Sequence, residues 1–221
     1  MLISQGARSS RRKPATAGGL GSREVLLETV SQLLKSRDTL DVSLSEIAQR
    51  SGVSSALVKY YFGSKNGLLL ALVERDSGAA LGSFLDLLQL PLSPRQKLRY
   101  HIEGIIRTHS RFPYLPALVN FVISQSDPEE AAHITDRFIR PIADAHSQLI
   151  GQGVEAGEFN EIDPKAFYFL VIGVSQELFT SSGVAKHCFG IDEISPELVT
   201  DYTNQIWKIL WGGIGRDKPS V

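Results

Sequence analysis

The chain has 221 residues, of which 43% are hydrophobic and 21% are charged, and its formal net charge is -1. This length and apolar content exclude a disordered chain and allow a sizeable core. The single cysteine, Cys188, excludes an intrachain disulfide framework. The longest strongly apolar stretch, residues 166–174, is about half of a membrane span. We therefore expect a soluble, cytoplasmic, globular protein with no membrane partner.

Charge is distributed unevenly along the chain. Residues 1–66 carry ten basic and five acidic side chains, whereas residues 67–221 carry 13 basic and 19 acidic ones. This asymmetry predicts a polyanionic partner for the first part alone. Residues 1–21 contain four basic residues and no acidic one, and Pro14 disfavours a helix there. We interpret residues 1–21 as a flexible basic arm, and two alternatives stay open: contact with DNA, or a tail that binds nothing specific.

Helical patterns begin at Ser22 and continue along nearly the whole chain. Apolar residues recur at three- and four-residue spacing, and Ser43 with Glu46 forms a capping box. Runs with strand periodicity joined by hairpin turns are lacking, so the sequence predicts an all-α fold. The expected helices span about 22–36, 43–51, 54–62, 65–90, 94–110, 114–125, 128–155, 163–181 and 196–211.

Residues 44–61 have the features of a helix-turn-helix. Ala48 is small enough for two helices to cross closely, and Gly52 can adopt a left-handed turn without a Cβ penalty. We expect Ile47, Val53 and Val58 to be buried. The second helix is then free to enter the major groove of DNA, with its N-terminus near phosphates.

The stretch from Ser43 to Leu68 resembles the signature of the tetracycline-repressor (TetR) family of bacterial transcriptional regulators. The shared landmarks are Ile47-Ala48, Gly52-Val53-Ser54, Tyr60-Tyr61-Phe62 and Ser64-Lys65 followed by Leu68. Lys59 departs from the pattern, since the family usually has a tyrosine there. The resemblance implies a DNA-binding domain at 22–66 and a helical effector-binding and dimerisation domain at 67–221.

The candidate DNA contacts are polar and aromatic side chains around the second helix of the motif. Serines cap helices in any protein, so a phosphate contact by Ser43 or Ser54 is a hypothesis that depends on the motif. We expect Tyr61 and Phe62 to pack in the core instead. The predicted contacts are Ser43, Ser54, Ser55, Lys59, Tyr60 and Lys65.

A catalytic or metal-binding pattern is not apparent, so we expect no enzyme activity, cofactor or metal. Residues 151–156 match a dinucleotide fingerprint, but the helical pattern before them favours coincidence. Aromatic and polar residues in the middle helices instead predict a mostly apolar effector pocket, with a packed core as the alternative for each residue. The predicted ligand contacts are His101, Ile105, Tyr114, Phe121, Phe138 and Tyr168.

The C-terminal helices predict a homodimer. Residues 166–174 are apolar on all sides, and the last helix adds Trp207 and Trp211. In the family the last two helices form a four-helix bundle across a two-fold axis. Gly173 lies in the middle of a helix, which suggests a close helix approach. A monomer with an ordinary core is the alternative.

These observations predict a sequence-specific transcriptional regulator, a repressor that a small hydrophobic or amphipathic ligand releases from its operator. Two alternatives from other classes remain. One is an effector-independent protein that binds DNA at many sites, which a footprint broader than one palindrome would indicate. The other is a small-molecule enzyme or carrier with an incidental helix-turn-helix, which turnover by the C-terminal domain would indicate.

Overall fold

The computed structural model describes residues 21–37 and 39–216, so the predicted basic arm lies almost entirely outside the described residues. In these ranges the secondary structure is helical, apart from an isolated bridge between Phe159 and Gly215, which confirms the all-α prediction. The helices are α1 (Ser22–Lys35), α2 (Leu44–Ser51), α3 (Ser55–Phe62), α4 (Lys65–Gln89), α5 (Pro94–Arg111), α6 (Leu115–Gln125), α7 (Pro128–Ile134), α8 (Arg140–Glu155), α9 (Pro164–Thr180), α10 (Ser182–Phe189) and α11 (Pro196–Ile214).

Helices α1 to α3 pack around a first hydrophobic core. The apolar face of α1 is buried, as its spacing predicted, and Ile47 of α2 and Val58 of α3 are fully buried against it. Gly52 has a φ of 67°, the left-handed conformation that turns the chain between α2 and α3. This arrangement leaves the outer face of α3 exposed.

Helix α4 takes part in both cores of the molecule. Its first half contributes Leu68 and Leu72 to the first core, whereas Phe84 and Leu88 belong to a second core formed with α5, α8, α9 and α11. Leu118 of α6 also packs in the first core. The first core therefore extends well beyond residue 66, where the sequence suggested a domain boundary.

Residues 151–156 lie at the end of α8, where no strand precedes them. A Cβ on Gly153 would lie 2.0 Å from Cδ2 of Phe159, so the glycine makes room for this fully buried ring. Packing in the second core thus accounts for Gly153, one of the two glycines in the apparent dinucleotide fingerprint.

The helix expected over 128–155 is interrupted by a π-helical segment, Thr135–Ile139. Pro141 follows it in the first turn of α8, and proline has no amide hydrogen to continue the regular hydrogen-bond pattern. Helix α10 is not expected from the sequence, because it is short and six of its eight residues are exposed. Among the described residues, none of the helices has the length and apolar character needed to cross a membrane.

Candidate nucleic-acid interface and ligand cavity

The exposed face of α3 carries most of the predicted DNA contacts. Ser54, Ser55 and Lys59 are exposed, and Tyr60 is 79% exposed although it is a large aromatic residue. Val58 is anchored in the core and sets this orientation. The structure therefore brings these four side chains to one end of the molecule, on a short helix that projects from the first core.

Two of the expected details around α3 differ in the structure. Ser54 is the N-cap residue of α3, but within the described chain its side chain makes no cap hydrogen bond. Tyr61, expected in the core, is 38% exposed, because Val58 and the partly buried Phe62 occupy the inner positions one helical turn apart. Tyr61 also packs edge-on against Tyr60, at 5.1 Å between ring centroids.

Ser43 and Lys65 lie beside α3 with partners of their own. The Ser43 hydroxyl accepts a hydrogen bond of 3.1 Å from the Glu46 amide, so one half of the predicted capping box forms. The Glu46 carboxylate instead pairs with Arg37, and this hydrogen bond lowers the pKa of Glu46. Lys65 Nζ lies 3.9 Å from Oδ1 of the exposed Asp41, a weak ion pair that is accessible to a competing phosphate.

A cavity of about 730 Å³ lies between the two hydrophobic cores. Residues of α4, α5, α6, the π-helical segment, α8 and α9 line it, and most of the lining side chains are apolar. Its size is typical of small-molecule sites. Of the predicted ligand contacts, His101, Ile105, Phe138 and Tyr168 line this cavity.

Tyr114 and Phe121 do not line the cavity. The hydroxyl of the buried Tyr114 donates to Oδ2 of Asp76 at 2.5 Å and lies 2.7 Å from Ser31 Oγ. Burial and then the Asp76 carboxylate raise the pKa of Tyr114 far above its ordinary value, so the phenol keeps its proton. Phe121 is partly buried and packs against the first core.

A hydrogen-bonded network joins the cavity to α1. Asp76, which lines the cavity, also accepts a hydrogen bond of 2.7 Å from Nε of Arg75. Arg75 in turn lies 3.3 Å from Glu28 of α1. Because the Tyr114 proton goes to Asp76, the hydroxyl of Ser31 donates to Tyr114. Two separate paths therefore link Asp76 to α1.

Two histidines meet at the edge of the cavity. Nε2 of His101 lies 2.7 Å from Nε2 of His146, and the ring of Phe84 stacks on His101 with 3.6 Å between centroids. Burial lowers the pKa of His146 to about 4, and burial and then His146 lower the pKa of His101 well below its ordinary value. Both rings are therefore neutral at pH 7 and share a single hydrogen bond. In the described part of the chain, no group of three or more His, Cys, Asp or Glu residues is placed to hold a metal ion.

Sequence reasoning missed the charged residues that line this cavity. Arg107 and Arg111 of α5 are exposed yet line it, so they lie where it opens to solvent. The available signal was their four-residue spacing, which places both side chains on the same face of α5. The sequence gives no comparable signal for Asp76, because an acidic residue in a long helix is usually exposed to solvent.

Helices α9, α10 and α11 expose large apolar side chains. The tryptophans of α11 are not among them: Trp207 and Trp211 stack at 5.3 Å and are partly covered by Arg99 and Arg95. The exposed fraction instead reaches 74% for Phe169 and 70% for Phe189 and Ile209.

Two family models match the chain. The model for tetracyclin repressor-like C-terminal domains matches residues 91–218, and the model for bacterial regulatory proteins of the tetR family matches residues 26–72. The first match alone covers more than half of the chain. The second contains α2, α3 and the exposed face of α3 described above.

Known proteins resemble the chain in sequence and in fold. The HTH-type transcriptional regulator BetI of Rhizobium meliloti (strain 1021) is 33% identical over 89 residues, which are 40% of this chain and 42% of that protein. The chain thus spans less than half of that relative's length. The structure of the ketosteroid transcriptional regulator KstR2 of Mycobacterium tuberculosis matches with a TM-score of 0.69 and 18% identity, over 92% of this chain and 100% of that chain. FadR from Bacillus subtilis in complex with stearoyl-CoA matches with a TM-score of 0.64 and 16% identity, over 87% and 97% of the two chains.

Proposed function

Because the chain belongs to the tetracycline-repressor family of bacterial transcriptional regulators, we propose that it is a repressor that a small hydrophobic or amphipathic ligand releases from its operator. The observation that carries this proposal is the position of Asp76. Asp76 lines the cavity, and its carboxylate is hydrogen-bonded to Tyr114, which is bonded to Ser31 in α1. A molecule in the cavity therefore lies against a residue that is linked to α1, against which α2 and α3 pack.

The exposed face of α3 supports the DNA-binding part of the proposal. Ser54 and Ser55 place hydroxyls at the start of the helix, where amide groups also favour phosphate. Lys59 and Tyr60 extend from the same helix, and a lysine can contact either a phosphate or a guanine edge. We assign α3 as the recognition helix and Ser43 and Lys65 as flanking phosphate contacts.

The cavity supports the release part of the proposal. Its walls come from α4, which also begins in the first core, and from α5, α6, α8 and α9. A ligand changes DNA affinity only if it binds two arrangements of the helix-turn-helix with different affinity. Such a ligand contacts α4, which packs in both cores, and Asp76, which is hydrogen-bonded to Tyr114 and through it to α1. The stearoyl-CoA complex of the structurally similar FadR supports an amphipathic ligand by analogy.

A homodimer completes the proposal. One short recognition helix contacts too few base pairs to define a genomic site, whereas two related by a two-fold axis read two half-sites. The exposed side chains of α9, α10 and α11 supply apolar area for the contact.

Enrichment of bound duplexes from a random-sequence DNA pool tests the proposed function. The full chain should enrich one palindromic sequence with half-sites about one helical turn apart or a multiple of it. Broad coverage without a consensus would instead support an effector-independent protein that binds DNA at many sites. The absence of any bound DNA would overturn the proposal.

A further inference from the structure

The lining of the cavity is apolar in its interior and cationic where it opens. Phe84, Leu87 and Ile105 are among its less exposed apolar side chains. Arg107 and Arg111 of α5 are exposed lining residues, as are the aromatic residues Tyr100 and Phe169. Residues four apart on a helix share a face, so the two arginine stems project from neighbouring positions. The cavity thus combines a mostly apolar lining with two cationic groups on its exposed side.

Neither arginine has an acidic partner among residues 21–37 and 39–216. Glu103, one turn before Arg107, is engaged by Arg99 at 2.6 Å. The Arg111 guanidinium lies 5.1 Å from the centroid of Phe112, an aromatic ring and not an anion. Lys35 Nζ lies on the same ring at 4.7 Å, which adds a third positive charge near this end.

The acidic residue that lines the cavity does not offset this charge. Asp76 is 4% exposed, and its two carboxylate oxygens accept hydrogen bonds from Arg75 and Tyr114. Arg75 offsets part of its charge, since Arg75 also pairs with Glu28 of α1. Arg107 and Arg111 therefore keep their positive charges without an ion pair among the described residues.

We propose that the ligand of this cavity has a negatively charged head group, bound by Arg107 and Arg111, and an apolar body that fills the interior. The proposal rests on the effector cavity of the proposed function and names the chemical class of its ligand. A guanidinium matches carboxylate and phosphate oxygens in two parallel hydrogen bonds. An anion between Arg107 and Arg111 also removes the repulsion between two like charges one turn apart.

Three probes with the same alkyl chain test the charge of the head group: dodecanoate, dodecanol and dodecylamine. Calorimetric titration of the full chain without DNA, below the micelle concentration, gives each affinity. We expect dodecanoate to bind at least about tenfold more tightly than dodecanol, and dodecylamine to bind most weakly. Arg107→Gln and Arg111→Gln should each reduce the preference for dodecanoate over dodecanol severalfold and leave the affinity for dodecanol unchanged.

Lys165→Gln is the matched control, because it removes one exposed positive charge of α9 outside the cavity lining. It should retain the full preference for dodecanoate. Equal affinity for the three probes, tightest binding of dodecylamine, no binding of dodecanoate, or an equal loss in Lys165→Gln would overturn the inference.

The result separates this inference from the proposed function. Dodecanoate that binds through Arg107 without changing operator affinity would leave the head-group site in place and contradict ligand release. If dodecanol released the operator and bound the chain as tightly as dodecanoate does, ligand release would be supported and the head-group site contradicted.

Discussion

The hydroxyl of Tyr114 donates a 2.5 Å hydrogen bond to Oδ2 of Asp76, which joins the turn before α6 to the helix that borders the ligand cavity. The same hydroxyl accepts from Ser31 of α1 at 2.7 Å. Since Asp76 and Tyr114 are both nearly fully buried, water does not replace either bond in the folded chain. These two hydrogen bonds connect a residue that lines the cavity to α1, against which α2 and α3 pack.

Tyr114→Phe should lower both the stability of the fold and the coupling between ligand binding and operator binding. The change leaves one oxygen of Asp76 and the hydroxyl of Ser31 without a partner, at a cost of about 1–3 kcal/mol in the free energy of unfolding. It should also reduce the factor by which a cavity ligand weakens operator binding. Urea unfolding measures the first effect, and fluorescence anisotropy with labelled operator measures the second.

Tyr202→Phe is the control for this change. Its hydroxyl donates to the Val174 carbonyl at 2.5 Å within the second core, so it loses a similar bond away from the Asp76 network. The Tyr202→Phe variant should be less stable than the wild type, but a cavity ligand should weaken its operator binding by the same factor. Equal coupling in Tyr114→Phe and the wild type would show that the network transmits nothing.

Lys59→Ala should weaken operator binding. If Lys59 reads a base, the variant should lose about 1–3 kcal/mol of binding free energy and show an altered sequence preference. If Lys59 contacts phosphate, the affinity for all sequences should fall alike, and it should depend less steeply on salt concentration. Lys165→Ala removes an exposed charge far along the chain and should leave operator affinity unchanged. Unchanged affinity of Lys59→Ala at low salt on every sequence would exclude this contact.

Stability should fall as the pH is lowered from about 6.5 to about 4. Burial depresses the pKa of His146 from 6.5 to about 4, so in this window the unfolded chain binds a proton at His146 that the folded chain does not. His146 then removes up to about 1.4 kcal/mol per pH unit from the free energy of unfolding, and His101 and His109, whose pKa values burial also lowers, add to the slope. Denaturant unfolding over this pH range measures the slope.

His146→Gln should reduce that slope, because residue 146 no longer titrates, while the lowered pKa values of His101 and His109 leave part of it in place. His187→Gln, which replaces an exposed histidine of α10, should keep the wild-type slope. A slope that is the same in His146→Gln and the wild type would rule out His146 as its source.

Gly173→Leu should block ligand binding and leave operator binding intact. A Cβ at Gly173 meets no atom within 4 Å, and the residue lines the cavity, so a larger side chain enters open space. The close helix approach expected from the sequence is not formed within the chain. We expect at least about a tenfold loss of dodecanoate affinity, and a gain of up to about 1 kcal/mol in helix stability.

Gly82→Leu provides the comparison for that variant. Gly82 is an exposed glycine of α4, outside the cavity lining, with no atom within 4 Å of a Cβ. It should bind dodecanoate as the wild type does. Dodecanoate binding by Gly173→Leu at wild-type affinity would place the ligand elsewhere.

Ile209→Glu should convert a dimer into a monomer. Ile209 is 70% exposed on α11, and a carboxylate there would lose its hydration in an apolar interface. Light scattering should give twice 24.2 kDa for the wild type and 24.2 kDa for the variant. Leu85→Glu, on α4 and 42% exposed, should remain dimeric. A wild-type mass of 24.2 kDa at micromolar concentration would contradict the dimer.

The sequence predicted those features that depend on neighbouring residues. Gly52 and the apolar spacing of α1 to α3 determine a turn and a buried face locally, so the helix-turn-helix was recognisable. The cavity depends on contacts between distant helices, and helical spacing does not show whether an aromatic side chain borders a space or fills it. Tyr114 and Phe121 were therefore assigned to the cavity, although the partners of Tyr114 lie 38 and 83 residues away.

The central claim is that occupancy of the cavity weakens operator binding. Its most direct test is the operator affinity of the full chain with and without a ligand that binds the wild type but not Gly173→Leu. We predict a decrease of about 5–150-fold when the cavity is saturated, with an equal decrease in ligand affinity on operator-bound protein. An operator affinity that stays the same at saturating ligand would contradict the claim.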